Sequence, residues 1–230
     1  LMFCAGRAAA QEQETPAPKT YKIYAVCDAH LDTQWNWDLT HTIREYIPRI
    51  LFQNLWMLER YPDYKFNFEG GIIYRWMKEY YPLHYARLQK YIDEGRWHIS
   101  GASWNANDPN MPSAESFIRN ILQGQELYKR EFGVRSTDIF LPDCFGFGYT
   151  LPSLAAHCGL IGFSTQKLSW RKHDFFPDAP YHKKNPFSWG VWYGIDGQSL
   201  MAAFDTGGYT AELPADAGYN KDFIRRASNG

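Results

Sequence analysis

His30 and Asp32 stand two residues apart at the end of the run Tyr24-Ala-Val-Cys-Asp-Ala-His30-Leu-Asp32, with Trp35 just beyond. Residues 22–28 read as a short buried strand, Ile23, Ala25 and Cys27 alternating with Tyr24 and Val26. On a strand, residues i and i+2 face the same side, so His30 and Asp32 point together off the strand tip. An imidazole and a carboxylate converging on one point suit a divalent metal such as zinc. A further carboxylate, Asp143, lies in Leu141-Pro-Asp143-Cys-Phe-Gly146, after another predicted strand. Three ligands (His30, Asp32, Asp143) leave coordination positions open, as a catalytic rather than a structural metal site requires. Plainer roles fit the same residues one at a time: an Asx turn for Asp143, a strand cap for His30 and a helix cap for Asp32.

Alternating strands and helices must position these groups. Strands are expected at 21–29, 65–68, 96–100, 137–141 and 160–164. Between them, Ile43, Ile47, Ile50, Leu51, Leu55 and Leu58 recur at three- and four-residue steps and predict a helix over 42–60. Helices follow at 72–80 and 82–94, the second closing at Gly95. Ser113 is a good N-cap for a helix running to Gly133, and a shorter helix spans 151–158. Five such alternations predict a parallel sheet or barrel with its site at the carboxyl ends of the strands. Strands one and four can share a site only if the sheet curls or closes. After residue 170 the rhythm changes, and Asp196-Gly197 between the apolar runs 187–192 and 199–204 predicts a hairpin.

A chain of 230 residues can bury a sizeable core. Its net charge of -1 gives no electrostatic reason to bind nucleic acid or a membrane surface. Aromatic residues reach 17%, including nine Trp and sixteen Tyr, and their faces suit sugar rings as well as a core. Four Cys without a C-x-x-C pair indicate neither a zinc ribbon nor a redox motif. Residues 1–20 join a small apolar stretch to a polar, Pro-containing linker. They read as a signal-peptide remnant, which predicts a secreted or periplasmic protein; a leader without targeting meaning is the alternative. No apolar run is long enough to span a membrane. The remaining residues, 21–230, form the expected domain.

Five motifs occur in order: His30-Leu-Asp32-x-x-Trp35; Gly101-Ala-Ser-Trp104 through Asp108, Asn110-Met-Pro112-Ser113 and Glu115-Ser116; Leu141-Pro142-Asp143-x-Phe145-Gly146; Thr165-Gln166-Lys167-Leu168-Ser169-Trp170; and Tyr193-Gly194-Ile195-Asp196-Gly197. Together they resemble the catalytic domain of glycoside hydrolase family 38, the retaining α-mannosidases. The resemblance implies an α/β fold, a seven-stranded β/α barrel-like domain incomplete at its C-terminus. It also implies one zinc ion and a mannose-containing oligosaccharide or glycan as substrate. His30 and Asp32 match the family's first two metal ligands, and Asp143 matches the residue that is both third ligand and nucleophile. Trp35 and Phe145 match aromatic residues lining the mannose subsite, and Lys167 a basic substrate contact. Glu212 falls near a sugar-contacting acid in a looser alignment, and Asp108 and Asp205 are further acidic candidates. The chain departs from the family pattern in two ways. The fourth zinc ligand, a downstream His, would lie beyond Gly230, and Ala106 stands where many relatives carry an acid. The alternatives are a metal-dependent polysaccharide deacetylase, whose H-x-x-x-H motif is missing, and an inactive carbohydrate-binding fragment.

Overall fold

Asp38 starts the first helix earlier than the apolar period predicts. Its side chain accepts the His41 backbone N–H at 2.8 Å, the interaction that makes Asp a favoured N-cap. Helix α1 (Leu39–His41) runs through a π-helical turn (Thr42–Tyr46) into α2 (Ile47–Arg60). The widened turn ends two residues before Pro48, whose nitrogen cannot donate to the carbonyl four residues back. The structure is a computed structural model and describes residues 26–167 and 189–204.

The other elements are β1 (Cys27–Ala29), β2 (Phe66–Phe68), α3 (Gly71–Tyr80), α4 (Pro82–Tyr85), α5 (Leu88–Asp93), β3 (Trp97–Ile99), α6 (Ala114–Phe132), β4 (Asp138–Phe140), α7 (Leu151–His157), β5 (Gly162–Ser164), β6 (Trp189–Tyr193) and β7 (Ser199–Ala203). The helix expected over 82–94 is two helices, broken where the Arg87 N–H turns back to the His84 carbonyl. Ser113 caps α6 through the Ser116 N–H, and Gly133 closes it at φ 71°.

Two sheets form, in the orders β1-β2-β3 and β4-β5-β7-β6. All pairs are parallel except β6 with β7. The expectation of a seven-stranded barrel of parallel strands is therefore met only in its α/β character. A hairpin link as short as Gly194–Gln198 can join only antiparallel strands, so β6 runs against β7 at the sheet edge. Among the described residues strand β1 is also an edge, and its Cys27 and Asp28 are exposed where a buried strand was expected.

The core has two parts. One holds Leu51, Leu55, Phe68, Tyr74, Met77 and Trp97; the other holds Ile139, Leu141, Leu151, Phe163 and Leu200. Helix α6 serves both, with Phe117 and Ile121 in the second and Leu127, Tyr128 and Phe132 in the first. It lies so close to the strand-three extension that a Cβ on Gly124 would sit 2.1 Å from the Ala102 carbonyl oxygen.

The two sheets meet at Asp138. Its backbone carbonyl accepts the Ala102 N–H at 2.9 Å. Its Oδ2 accepts from Ser100 Oγ at 2.7 Å and the Gly101 N–H at 3.1 Å, and its Oδ1 from Ser136 Oγ at 3.0 Å. Burial opposes ionisation, but these donors and His98 outweigh it and hold the carboxyl below its ordinary pKa. A carboxylate whose folded pKa is depressed stabilises the fold above its unfolded value, about 3.9, and loses that contribution as pH falls through the folded value. Asp138→Ala is expected to destabilise by about 1–3 kcal/mol at neutral pH, the cost of orphaning buried donors. In urea titrations the gap from wild type should be full at pH 6 and should shrink below about pH 4. A gap independent of pH would show that the charged form of the carboxylate does not hold this seam.

Candidate metal centre

His30 follows β1 and Asp143 follows β4, with β2 and β3 between those strands. Strands in a flat sheet are about 4.8 Å apart, so three spacings would separate the two tips by roughly 14 Å. The structure instead brings one ligand atom each from His30, Asp32 and Asp143 within 4.8 Å of one another. The four strands therefore do not lie as one flat sheet.

His30 is the most constrained member. Its Nδ1 lies 2.7 Å from Oε1 of Glu69, and its Nε2 lies 3.4 Å from Oδ1 of Asp32. Glu69, just past β2, is 5% exposed. A Cβ on Gly101, whose φ is +66°, would lie 3.1 Å from Glu69 Cβ and Oε2, so the missing side chain makes room for the carboxylate. Burial alone would lower the His30 pKa; the Asp32 and Glu69 carboxylates overcome it and raise it to about 10. Burial pushes the Glu69 carboxyl up, against the pull of His30. Sequence reading missed Glu69, because an acid after Phe68 matches no spacing motif.

Asp143 Oδ1 is buried and makes no hydrogen bond of acceptable geometry. Lys167 Nζ stands 2.8 Å from it as an ion pair, off the alignment a hydrogen bond needs. The same ammonium lies 5.3 Å from the centre of the Phe145 ring. The neighbouring Cys144 thiol reports the local field: burial first, then Asp108, Glu69 and Asp143, raise its pKa to about 12. Two carboxylates, one with its buried Oδ1 beside the Lys167 ammonium, and one imidazole form a triad that fits a divalent metal.

Hydrogen bonds hold the loops around the triad. Thr42, fully buried, accepts from Trp37 Nε1 and donates to the Thr33 carbonyl, both at 2.8 Å, and so fixes the segment carrying Asp32 and Trp35. Asp108 Oδ1 accepts the Asn110 and Met111 N–H groups at 2.7 and 3.0 Å, an Asx turn. Asn110 Nδ2 donates to the Gly146 carbonyl, joining this loop to the one bearing Asp143. Asn120 on α6 donates to the Asn105 carbonyl and to Asn107 Oδ1. Trp35 and Phe145 are 72% and 62% exposed. Asp205 and Glu212 lie outside the described residues.

Asp196 in the β6–β7 turn accepts from Ser153 Oγ at 2.5 Å and faces His157 Nε2 at 2.8 Å, both on α7. The carboxylate stands between serine and histidine, so no serine–histidine bond of a nucleophilic triad exists; the group is a clamp. A cleft of about 610 Å³ between α3 and α6, lined by Arg75, Lys78, Glu126 and Glu131 among others, shares no residue with the metal triad. No helix among the described residues is long and apolar enough to cross a membrane.

Fold and triad together describe an α/β protein with a metal-competent site at its strand tips. Over residues 20–226 the chain matches the Glycosyl hydrolases family 38 N-terminal domain, and it belongs to that family. Alpha-mannosidase G of Dictyostelium discoideum is 35% identical over 213 residues, 90% of this chain and 18% of that protein. An alpha-mannosidase of Saccharomyces cerevisiae is 32% identical over 192 residues, 83% of this chain and 17% of that one. The chain thus spans less than a fifth of these relatives. The crystal structure of an alpha-mannosidase from Enterococcus faecalis superposes with a TM-score of 0.68 at 20% identity, over 89% of this chain and 22% of that one.

The Ser153 hydrogen bond, and then that from His157, hold the Asp196 pKa down to about 2. Asp196→Ala is expected to raise hydrogen exchange across β6, β7 and α7 while leaving α2 and α3 unchanged. Unchanged exchange in the hairpin would rule out the clamp.

Proposed function

We propose that the protein hydrolyses terminal α-linked mannose in oligosaccharides or glycans with retention of configuration, with zinc held by His30, Asp32 and Asp143. The observation that carries this reading is the convergence of those three ligand atoms within 4.8 Å, in a chain that belongs to family 38. The names of the relatives, alpha-mannosidases, support the substrate class.

Bound zinc supplies a fixed positive charge that grips and orients sugar hydroxyls. The remaining chemistry belongs to the chain. Asp143 bonds to the anomeric carbon as the glycosidic oxygen leaves with a proton from a second acid, and water then cleaves the glycosyl ester. Lys167 offsets the charge of the attacking carboxylate at 2.8 Å. Trp35, an exposed ring, stacks on the weakly apolar side of the sugar.

On 4-nitrophenyl α-mannoside, chelation should abolish turnover and added zinc should restore it. Asp143→Asn should lose activity by about 10³-fold or more, as removal of a nucleophile does. Proton NMR should show α-mannose as the first product, and β-mannose first would exclude Asp143 as nucleophile. Trp35→Ala should leave stability within about 0.5 kcal/mol, since the ring is exposed. It should raise KM roughly 2- to 10-fold, the worth of one aromatic contact. An unchanged KM would remove Trp35 from the sugar site.

A further inference from the structure

Glu69 is buried, charged and unused by the chemistry above. A carboxylate that is 5% exposed is costly unless something on the fold requires it. Among the described residues, its hydrogen-bond partner is the Nδ1 of His30, at 2.7 Å. A neutral imidazole carries its proton on one nitrogen and a lone pair on the other. Paired with a carboxylate, Nδ1 must be the donor, so a metal that displaces the other ring proton takes the lone pair on Nε2. That nitrogen is the one lying 3.4 Å from Asp32. Gly101 has no side chain to displace Glu69, and its left-handed φ of +66° suits glycine. The pairing also places a third negative charge behind the two ligand carboxylates.

We propose that Glu69 is a positioning residue that selects the Nε2 tautomer of His30, aims that nitrogen at the site and thereby sets metal affinity. The assignment rests on reading His30, Asp32 and Asp143 as the metal ligands. A carboxylate behind a ligating imidazole fixes its orientation and raises its basicity, and loss of such a partner weakens metal binding about 10- to 100-fold.

Zinc affinity, measured by competition with a chromophoric chelator, reads this directly and needs no turnover. Glu69→Ala should bind zinc about 10- to 100-fold more weakly. Glu69→Gln, which still presents an acceptor oxygen to Nδ1–H, should fall between that variant and wild type, and it serves alone if the alanine variant does not fold. In nitrogen-15 spectra of the zinc-loaded wild type, His30 should show a protonated Nδ1 and a metal-bound Nε2; Glu69→Ala should lose that single state. The control is Ser153→Ala, which loosens the distant hairpin clamp. Wild-type affinity in both Glu69 variants, or an equal loss in the Ser153 control at matched metal-free melting temperature, would overturn the assignment. A wild-type protein that binds no zinc would overturn the metal reading of the triad first, and this assignment with it.

Discussion

The architecture depends on one seam. Asp138 takes the Ala102 N–H on its backbone oxygen and the Ser100 and Gly101 donors on its carboxylate. These bonds connect two sheets that are otherwise counted separately. Helix α6 closes the seam from outside, because Gly124 lets its backbone lie against Ala102 and its two apolar segments enter both cores. Without that junction the tips of β1 and β4 would have no fixed relation. With it, groups more than a hundred residues apart in sequence reach one coordination-sized space.

The electrostatics of that space follow from its composition. Asp32, Asp143 and Glu69 surround one imidazole and one lysine. The buried oxygen of Asp143 faces the Lys167 ammonium at 2.8 Å, and the nearby thiol of Cys144 is held firmly protonated, by burial first and then by the surrounding acids. Buried like charges are costly unless a cation compensates them. A divalent ion with Lys167 would match three carboxylates in formal charge. The triad's composition fits a divalent cation.

Rigidity around the centre comes from small polar residues instead of bulk. Thr42 ties the loop of Asp32 and Trp35 to the first helix, and Asn120 ties the 104–108 segment to α6. Asn110 then links that segment to the loop of Asp143. The rings of Trp35 and Phe145 are exposed, while Thr42, which holds the loop of Trp35, is fully buried. Division of labour of this kind suits sites whose active groups sit on loops carried by a rigid scaffold.

Local structure was legible in the chain because local forces decide it. The apolar periods of α2 and α6, the Ser113 cap, the closing glycines at 95, 133 and 159 and the Asp196-Gly197 hairpin all appear where those residues direct. The candidate ligands were legible too, since His30 and Asp32 share a strand tip and Asp143 sits in an ordered motif. Other features were set by tertiary structure alone. Strand β6 is antiparallel because its link to β7 is short, and β1 is exposed because it is an edge. Glu69, Asp138 and Asn120 acquire their roles from partners 39, 38 and 15 residues away. Periodicity and capping act over a few residues, whereas a hydrogen bond across the fold leaves no spacing in the chain. The sequence by itself determined which elements form and which side chains can ligate a metal. Only the packing of two sheets through one seam decided that those side chains meet, and which buried acid stands behind them.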